Sequence, residues 1–266
     1  MKTAKRITLK DLRNNPLYNK SLLLHGNGKL LDYDNPETGE KFRYAQYNTR
    51  PIIDCPFASE GCKAVCYACK GNHNFPDVKE SRKRSYEESK RPDFSESIIY
   101  TMQVEKQSKR YSNAIMLVRP HEAGEFYSLQ YLKKWVKIWA AGIDDLTTQM
   151  YAYTKAFLFF LMLSEEEKRI VNKAMENGTL AIDLSLDDTT SKEQLEAYER
   201  MRKEFPLCNT YYCTEHPENV KYDHICECEN CAKCGECRKA RGRVIVMKIH
   251  SASTADMDTY RKNIRK

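Results

Sequence analysis

The chain has 266 residues, 41% of them hydrophobic, which is enough for a sizeable buried core. Its 44 Lys and Arg residues against 37 Asp and Glu residues give a formal net charge of +7, a weak argument for a nucleic-acid partner. The longest apolar run, residues 157–163, is too short to span a bilayer, so we expect no membrane segment. Residues 1–15 carry charges throughout and lack the apolar segment of a secretory signal. We therefore expect the chain in a reducing cytoplasm, where its 11 cysteines are better interpreted as metal ligands than as disulfides.

The first fifty residues predict a β-hairpin, because KLLDYD and KFRYAQY flank the turn-forming segment DNPETGE. After it, short β-prone runs alternate with charged segments of helical period. The β-prone runs are residues 50–55, 113–120, 148–154, 180–187 and 243–250, with a further one near 207–213. The helical segments are residues 77–90, 94–110, 129–141, 164–177 and 191–205.

Two of these helices begin with capping signals. Ser164 is followed three residues later by Glu167, and Ser191 is followed at the same spacing by Gln194. A Ser with Glu or Gln three residues on is typical of a capping box. The two pairs predict helix starts near residues 164 and 191.

Alternating strands and helices predict an α/β fold with a parallel sheet, because parallel strands need long crossover connections. We expect either a partial barrel or an open, doubly wound parallel sheet, with the N-terminal β-hairpin and a C-terminal cysteine-rich segment. No repeat or low-complexity linker divides residues 1–266, which we interpret as a single domain. Its parts are a β-rich N-terminal part (1–50), an α/β core (51–205), a cysteine-rich metal segment (206–242), and the last strand with a tail (243–266).

The segment GCKAVCYACKG places Cys62, Cys66 and Cys69 at C-x3-C-x2-C. If residues 50–55 form the first core strand, this segment follows it at the carboxyl edge of the sheet, where α/β folds build their sites. Thiolates at this spacing suit zinc or an iron–sulfur cluster. Only Cys66 and Cys69 form the C-x2-C pair that structural zinc sites favour, so an iron–sulfur site is preferred.

Cys55 leaves two ligand sets open. With Cys55 as fourth ligand, every iron of a [4Fe–4S] cluster is saturated, and the cluster transfers electrons or stabilises the fold. Without Cys55, one iron is free to bind a substrate or a cofactor. The first set fits a structural or electron-transfer role, and the second fits an enzyme.

A second group of seven cysteines lies near the C-terminus, and its stretch CECENCAKCGEC contains C-x2-C-x2-C-x2-C. This resembles the bacterial ferredoxin ligand run without its final C-x3-C-P, and it is a strong metal signal. Nearby His216 and His224 keep zinc open as the alternative metal. The preferred ligands are Cys231, Cys234 and Cys237 with Cys208 or Cys213 as the fourth, while Cys226 and Cys228 are spare or alternative ligands.

Polar residues near the predicted strand ends are candidates for the chemistry. His121, before a glycine turn, suits proton transfer or ligand binding, and a hydrogen-bonded loop histidine is the alternative. Lys155 follows a tyrosine-rich strand and could line the same edge. Asp183, Ser185 and Asp187 alternate along one buried strand, where polar side chains are costly without a purpose. We interpret them as substrate or cofactor contacts if that strand is central.

The spacing C-x3-C followed by aromatic-x-C resembles the signature of radical S-adenosylmethionine enzymes. The resemblance implies a partial (β/α)6 barrel, three cysteines holding a [4Fe–4S] cluster, and S-adenosylmethionine on its open iron. It also implies that Gly124 and Glu125 of the segment AGE contact the cofactor, and that the C-terminal cysteines hold an auxiliary cluster.

A longer resemblance covers most of the chain. GNGKL, CPFASEGCKAVCYACKG, VRPHEAGEFYSLQYLKKW, YAYTK and CAKCGEC look like the phage-encoded family called gene product 88. The chain differs from that family by carrying Glu125 where Asp is usual. This resemblance implies a protein that acts in the cytoplasm of the host cell.

These observations lead to two hypotheses. The first is a radical S-adenosylmethionine-like iron–sulfur enzyme acting on an unknown small substrate, with catalytic residues Glu125, His121 and Lys155 and cofactor contacts Gly124, Glu125, Asp183 and Ser185. The second is a non-catalytic iron–sulfur or zinc protein that binds nucleic acid or a host protein.

Overall fold

The computed structural model describes residues 8–25, 30–227, 230–249 and 253–264. Within these ranges the chain forms one nine-stranded sheet and ten α-helices. The strands are β1 (Leu24–His25), β2 (Tyr33–Asp34), β3 (Lys41–Tyr47), β4 (Ile115–Pro120), β5 (Thr148–Thr154), β6 (Leu180–Asp187), β7 (Asn209–Thr214), β8 (His224–Ile225) and β9 (Val244–Lys248). The helices are α1 (Leu9–Arg13), α2 (Glu60–Ala64), α3 (Pro76–Lys90), α4 (Phe94–Glu105), α5 (Leu129–Ala141), α6 (Phe157–Leu161), α7 (Glu165–Glu176), α8 (Lys192–Glu204), α9 (Cys231–Cys234) and α10 (Thr254–Ile264).

The strand order is β1-β3-β4-β5-β6-β7-β9-β8, and β2 pairs with the free part of β3. From β3 to β8 all neighbours are parallel, while β1 and β2 are antiparallel to β3. The predicted α/β fold with a parallel sheet is therefore confirmed. The sheet is open, because the described strands form one linear path that ends at β1 and β8.

The order of β3 to β7 follows the chain without reversing. Because crossovers between parallel strands are right-handed, an order that does not reverse places the connecting helices on the same face of the sheet. The large core lies on this face, where Met116, Val118 and Ile182 pack with Trp135 and Trp139 of α5. The predicted open parallel sheet is therefore confirmed, and the described helices of the large core lie on one of its faces.

The other face of the sheet has a different cover. Alternate residues of the strands, such as Leu117, Tyr151 and Ala181, point to this face and form a second cluster with Ala232 of α9. The cysteine-rich segment thus packs over the amino-terminal half of the strands. The carboxyl-terminal half is left to a cavity.

The helix starts agree with the capping signals. Ser164 accepts from the backbone N–H of Glu167 at 3.3 Å, and the Glu167 carboxylate accepts from the backbone of Ser164 at 2.8 Å, which completes the predicted capping box. Ser191 accepts from the backbone N–H of Gln194 at 3.3 Å. Both helices begin one residue after their serine.

The first core strand is not where it was predicted. Residues 50–55 form a turn, in which the Arg50 backbone N–H and guanidinium both donate to the carboxylate of Asp54 at 2.7 Å. Pro51 begins this turn, and Ile53 remains 72% exposed, so the apolar pair Ile52 and Ile53 does not enter the core. The first parallel strand is instead β3, which belongs both to the predicted hairpin with β2 and to the core beside β4.

The C-terminal tail contains a helix that the sequence did not predict. α10 packs against α2, the short helix that carries Cys62. Its contact side is anchored by Tyr260, which is fully buried and donates from its hydroxyl to Asp188 at 3.0 Å. Lys70 adds an ion pair with Asp256 at 2.6 Å. Most residues of α10 are charged or polar, so its single buried aromatic gave little periodic signal.

Candidate functional site

A cavity of about 980 Å³ lies over the carboxyl-terminal half of the parallel strands. Its floor is the strand face opposite the large core, and its walls come from the loop after β3 and from the cysteine-rich segment. This is the edge at which α/β folds place their sites, because several strand ends meet there. Most of the described side chains predicted for the site line this one cavity, while Cys69, Asp183 and Cys208 do not.

The first cysteine group lies at one wall of this cavity, which Cys55, Cys62 and Cys66 line directly. The backbone N–H of Cys69 donates to the Cys66 carbonyl at 3.2 Å, so Cys69 ends the turn that starts at Cys66. Burial, together with the neighbouring Cys69 and Cys62 thiols, raises the pKa of Cys66 to about 12. The metal-free Cys66 thiol is thus protonated near pH 7, and a bound cation would favour its ionised form.

The loop that carries Cys62 is fixed to the end of β6. Ser59 caps α2 by accepting from the backbone N–H of Cys62 at 3.1 Å, and its hydroxyl donates to Asp187 at 2.5 Å. The backbone N–H of Gly61 donates to Thr189 at 2.8 Å. A Cβ at Gly61 would lie 2.5 Å from the Thr189 hydroxyl oxygen, so glycine permits this close approach.

The second cysteine group lies at the opposite wall, where Cys226, Cys231, Cys234 and Cys237 line the same cavity. Asn230 caps the single turn of α9 by accepting from the backbone N–H of Ala232 at 2.9 Å. The thiol of Cys234 lies 3.6 Å from Nε2 of His224, a contact that suits a mixed Cys/His site. Cys228 lies outside the described residues.

The structure separates the two candidates for the fourth ligand of this group. Cys213 lines the cavity, as does Tyr211 two residues before it on β7. Cys208 is fully buried in the large core on the other face, with its sulfur 3.8 Å from the sulfur of Met175. Side chains alternate between the two faces of a strand, and Tyr211 and Cys213 point to the cavity. Cys208, an odd number of residues before both and directly ahead of β7, therefore lies on the other face. The prediction that Cys208 could complete the cysteine site was wrong, and Cys213 is the candidate that remains.

The donor chemistry of the cavity fits a thiolate-bound metal centre. The ten described cysteines are free thiols, and soft thiolate ligands suit iron–sulfur clusters and zinc. Cys62 of the first group acts electrostatically on Cys213 of the second, so the two groups approach each other across the cavity. Among the described residues, no three His, Cys, Asp or Glu side chains are already gathered around a common point as metal ligands.

Glu125 binds back to its own chain. Its carboxylate accepts from the backbone N–H of Phe126 at 2.7 Å, from the Thr154 hydroxyl at 3.0 Å and from the backbone N–H of Lys155 at 2.7 Å. These bonds join the carboxyl ends of β4 and β5 at the cavity edge. A carboxylate offers about four acceptor positions, so one position remains for a ligand.

Glu125 should make the stability pH-dependent. Burial raises its pKa to about 7, against hydrogen bonds that lower it. Because this pKa exceeds the value of about 4.5 expected in the unfolded chain, the folded state binds more protons between these pH values, and stability falls as the pH rises. We expect this group alone to cost about 2 kcal/mol between pH 5.5 and pH 8.

The measurement is the free energy of unfolding of the metal-free chain at both pH values, in the wild type and in Glu125→Gln. The side-chain amide of the variant presents an NH2 group to partners that are themselves hydrogen-bond donors. We therefore expect the variant to be less stable than the wild type at both pH values, and its stability to fall less as the pH rises. An equal pH dependence in the two proteins would show that Glu125 does not titrate in this range.

Lys155 and Asp187 form a buried ion pair beside the cysteines. The Lys155 ammonium donates to Asp187 at 2.8 Å and to the Ser185 carbonyl at 3.1 Å. Burial raises the pKa of Asp187, but the Lys155 charge and several hydrogen bonds hold it below its ordinary value. Burial raises the pKa values of Cys62 and Cys213, and the positive charge of Lys155 opposes that rise. The predicted catalytic Lys155 thus lies at the cavity, where it acts on thiols of both groups.

His121 has the contacts of a packed aromatic residue. Its Nε2 lies 3.0 Å from the Tyr131 hydroxyl, and its ring packs edge-on against Phe126 with centroids 4.5 Å apart. Burial lowers its pKa to about 3, so the ring is neutral near pH 7. These contacts favour the hydrogen-bonded alternative, and a proton-transfer role for His121 stays a prediction.

The three polar residues of β6 have different environments, although all point to the same face. Ser185 and Asp187 line the cavity. Asp183 lies deeper and is fully buried, with one carboxylate oxygen accepting from Asn209 at 3.0 Å and the other without a partner among the described residues. Burial raises the pKa of Asp183 well above its ordinary value. The strand is central, as the prediction required, and only Ser185 and Asp187 reach the cavity surface.

Two cavity residues were missed from the sequence. Cys226 was interpreted as a spare or alternative ligand and not placed in the preferred set, and it lines the cavity and contacts Tyr211. Arg119 was not considered, yet its guanidinium lies over the Tyr153 ring at 4.6 Å from the centroid, inside the cavity. A charged residue within the apolar strand sequence IMLVRP was the available signal, since an Arg is rare in a buried parallel strand.

Comparisons with known proteins were made at the level of families, single sequences and structures. No curated protein and no solved structure matches the chain. In the described part of the chain, no helix is both long and apolar enough to cross a membrane. A family model described as Gene product 88 matches residues 21–241, a range that includes strands β3 to β7 of the cavity floor and both cysteine groups but not β9. Since this match spans most of the chain, the protein belongs to the Gene product 88 family.

Proposed function

We propose that this protein is an iron–sulfur enzyme of the radical S-adenosylmethionine type, acting on a small molecule held in the cavity. One observation carries the proposal: thiols from two segments more than 140 residues apart line a single cavity at the carboxyl ends of parallel strands. A structural metal centre needs no such space beside it. A centre that acts on a bound molecule does, and the cavity volume of about 980 Å³ lies in the range of small-molecule sites.

Under this proposal Cys62, Cys66 and Cys69 hold the first centre, and Cys213 with the C-terminal cysteines holds an auxiliary one. The chemistry that the first centre supplies when bound is one-electron reduction of S-adenosylmethionine. The chain's own residues provide position and exclusion of water. Gly124 and Glu125 shape the cavity edge between β4 and β5, and the Lys155 charge favours ionised thiols nearby. Zinc is the alternative metal, favoured locally by the contact of Cys234 with His224.

The same proposal extends to the fold. Two observations support a partial (β/α)6 barrel opened on one side: the strand order follows the chain from β3 to β7, and the large helical core lies on one face. The cavity would then occupy the interior of that barrel. The cysteine-rich segment would fill the amino-terminal end, where Ala232 packs on Tyr44 and Tyr151.

The test is anaerobic purification followed by measurement of iron, sulfide and zinc per chain. Electron paramagnetic resonance spectra of the reduced protein, with and without S-adenosylmethionine, then show whether the cofactor binds an open iron. Reduction with dithionite in the presence of S-adenosylmethionine should yield 5′-deoxyadenosine. Intact clusters with no spectral change and no product would contradict the enzymatic proposal.

A second candidate function has its own supporting observation. Cys55 lines the cavity beside Cys62 and Cys66; burial raises the pKa of its thiol well above the ordinary value, and these two neighbouring thiols add to the rise. Four cysteines would saturate the first centre, which then contributes to folding rather than to chemistry. The chain would be a metal-stabilised binding protein for nucleic acid or for a host protein. Nucleic-acid binding that weakens steeply with salt would support it.

Cys55→Ala distinguishes the two candidates. We expect the variant to retain the iron and sulfide content of the wild type, because Cys62, Cys66 and Cys69 suffice for the proposed centre. Cys62→Ala should lose the iron of that centre. Cys208→Ala is the matched control, since it removes a buried thiol that does not reach the cavity. A loss of iron in Cys55→Ala as large as that in Cys62→Ala would favour the closed, four-cysteine centre.

A further inference from the structure

Four Lys and Arg side chains of the described residues line the cavity. Three of them donate hydrogen bonds to groups of the protein: Arg82 to the Ala68 carbonyl at 3.0 Å, Arg238 to Gln149 at 2.7 Å and Lys155 to Asp187 at 2.8 Å. Arg119 is the fourth, and within the described ranges its guanidinium has neither a hydrogen bond nor a carboxylate at ion-pair distance. Among the described cavity cations it is therefore the one whose whole guanidinium lacks a hydrogen bond, whereas Arg238 leaves its buried Nε without a partner.

The backbone of Arg119 is held firmly. β4 is hydrogen-bonded to β3 on one side, with Arg119 opposite Gln46, and to β5 on the other. The side chain is half-buried and packs over two aromatic rings, 4.6 Å from the centroid of Tyr153 and 5.7 Å from that of Tyr151. Its Nε is fully buried without a partner. The rings orient the charge but accept no strong hydrogen bond from it.

No described carboxylate lies within ion-pair distance of the Arg119 guanidinium, although Asp183 has one oxygen without a partner and interacts with the Arg119 charge at longer range. Most of the other carboxylates near the cavity are engaged. Glu125 accepts from three donors, and Glu236 pairs with Lys239 at 2.8 Å and with Arg243 at 2.5 Å. Asp187 is paired with Lys155. A guanidinium stays charged at all relevant pH values, and leaving such a charge half-buried without a counter-ion is costly. No described residue thus supplies Arg119 with a counter-charge at ion-pair distance, and an oxyanion bound in the cavity would supply one.

We propose that Arg119 binds the oxyanion of a small organic molecule, a carboxylate or a phosphate monoester, whose body packs against the tyrosine side chains of the cavity. The planar guanidinium fork matches both oxyanions through paired hydrogen bonds. Tyr67, Tyr153 and Tyr211 also line the cavity and offer aromatic surface to the rest of the molecule. This inference rests on the proposed function, because it assigns a chemical class to the substrate of the same cavity.

The experiment uses the full chain as purified anaerobically, with its metal content measured alongside. Inorganic phosphate and benzoate are titrated separately, and the thermal midpoint Tm and the dissociation constant are recorded for the wild type, Arg119→Gln, Arg119→Lys and Arg238→Gln. We expect the wild type to bind at least one probe saturably. Arg119→Gln should weaken that probe about tenfold or more, and Arg119→Lys should weaken it less. The preferred probe distinguishes a carboxylate from a phosphate ligand.

Three comparisons decide the result. Arg119→Gln without anion should melt no lower than the wild type, because it removes an unpaired charge, whereas a purely structural role predicts a lower Tm. Arg238→Gln should bind the probe within about twofold of the wild type, and an equal loss in both variants would mean that only the overall charge of the cavity matters. Loss of metal in Arg119→Gln with unchanged probe binding would overturn the proposal in favour of a counter-charge to the metal centre.

The outcomes separate this inference from the proposed function. A chain without iron that still binds the probe through Arg119 would contradict the enzyme proposal and support the oxyanion site. S-adenosylmethionine is titrated as a further probe, since it carries a carboxylate of its own. If Arg119→Gln weakened only S-adenosylmethionine, the oxyanion would belong to the cofactor, and the assignment to the substrate would fail.

Discussion

Asp187→Ala is expected to destabilise the metal-free chain by about 3 to 5 kcal/mol, because it leaves the Lys155 ammonium buried without its counter-charge. The two side chains are 3% and 10% exposed, so water cannot replace the lost partner. The same carboxylate also accepts from the Ser59 hydroxyl and from the Thr189 backbone at 2.8 Å. Its removal therefore loosens the loop that presents Cys62. We expect a lower free energy of unfolding in urea together with faster reaction of Cys62 with a thiol reagent.

Two further variants identify the cause of that loss. Glu176→Ala removes an exposed partner of Lys173, in a pair whose side chains are 58% and 60% exposed, and should change stability by less than about 1 kcal/mol. Lys155→Met combined with Asp187→Leu removes both buried charges and should recover much of the stability lost in Asp187→Ala. If Asp187→Ala were no more damaging than Glu176→Ala, the pair would be solvated in solution, and its influence on the thiols would be weak.

The elements predicted well are those whose periodicity agrees with tertiary packing. β5 and β6 begin and end at the predicted residues, since short, mostly buried apolar runs bounded by polar residues have few alternatives. α5 matches its predicted range because one apolar stripe, including Trp135 and Trp139, faces the core. In contrast, residues 50–55 are apolar enough for a strand, but Asp54 captures the backbone of Arg50 in a turn. A hydropathy pattern does not reveal such a hydrogen bond between a side chain and the backbone.

The candidate site was predictable in kind but not in arrangement. Cysteine spacing identified both groups, because ligand spacing is a local property of a short loop. Which thiols share a cavity depends on strand register. A shift of β7 by one residue would turn Cys213 from the cavity face to the core face. The unpaired charge of Arg119 depends on neighbours from other strands, such as Tyr151 and Tyr153. Those contacts exist only once the sheet has formed.

Gly124→Ala is expected to be among the most damaging single substitutions near the cavity. Gly124 has φ +85, a conformation that L side chains rarely adopt, and an added Cβ would lie 1.9 Å from the Thr49 hydroxyl oxygen and 2.9 Å from the Thr49 carbonyl carbon. The second of these atoms belongs to the backbone, so rotation of the threonine side chain cannot relieve the clash. Left-handed strain and overpacking together should cost about 3 to 5 kcal/mol.

A matched variant separates the two causes. Gly39→Ala introduces the same side chain at φ +72 in an exposed turn, where nothing lies within 4 Å of the added Cβ. We expect it to lose only the backbone contribution, about 1 to 2 kcal/mol. The excess loss in Gly124→Ala then measures how tightly the segment 122–125 is pressed against Thr49 beside the cavity. Since Glu125 joins β4 to β5 only while that contact holds, the pH dependence assigned to Glu125 should weaken in Gly124→Ala but persist in Gly39→Ala. An equal stability loss in both glycine variants would show that the loop can move away from Thr49, and that the cavity edge is not fixed at this point.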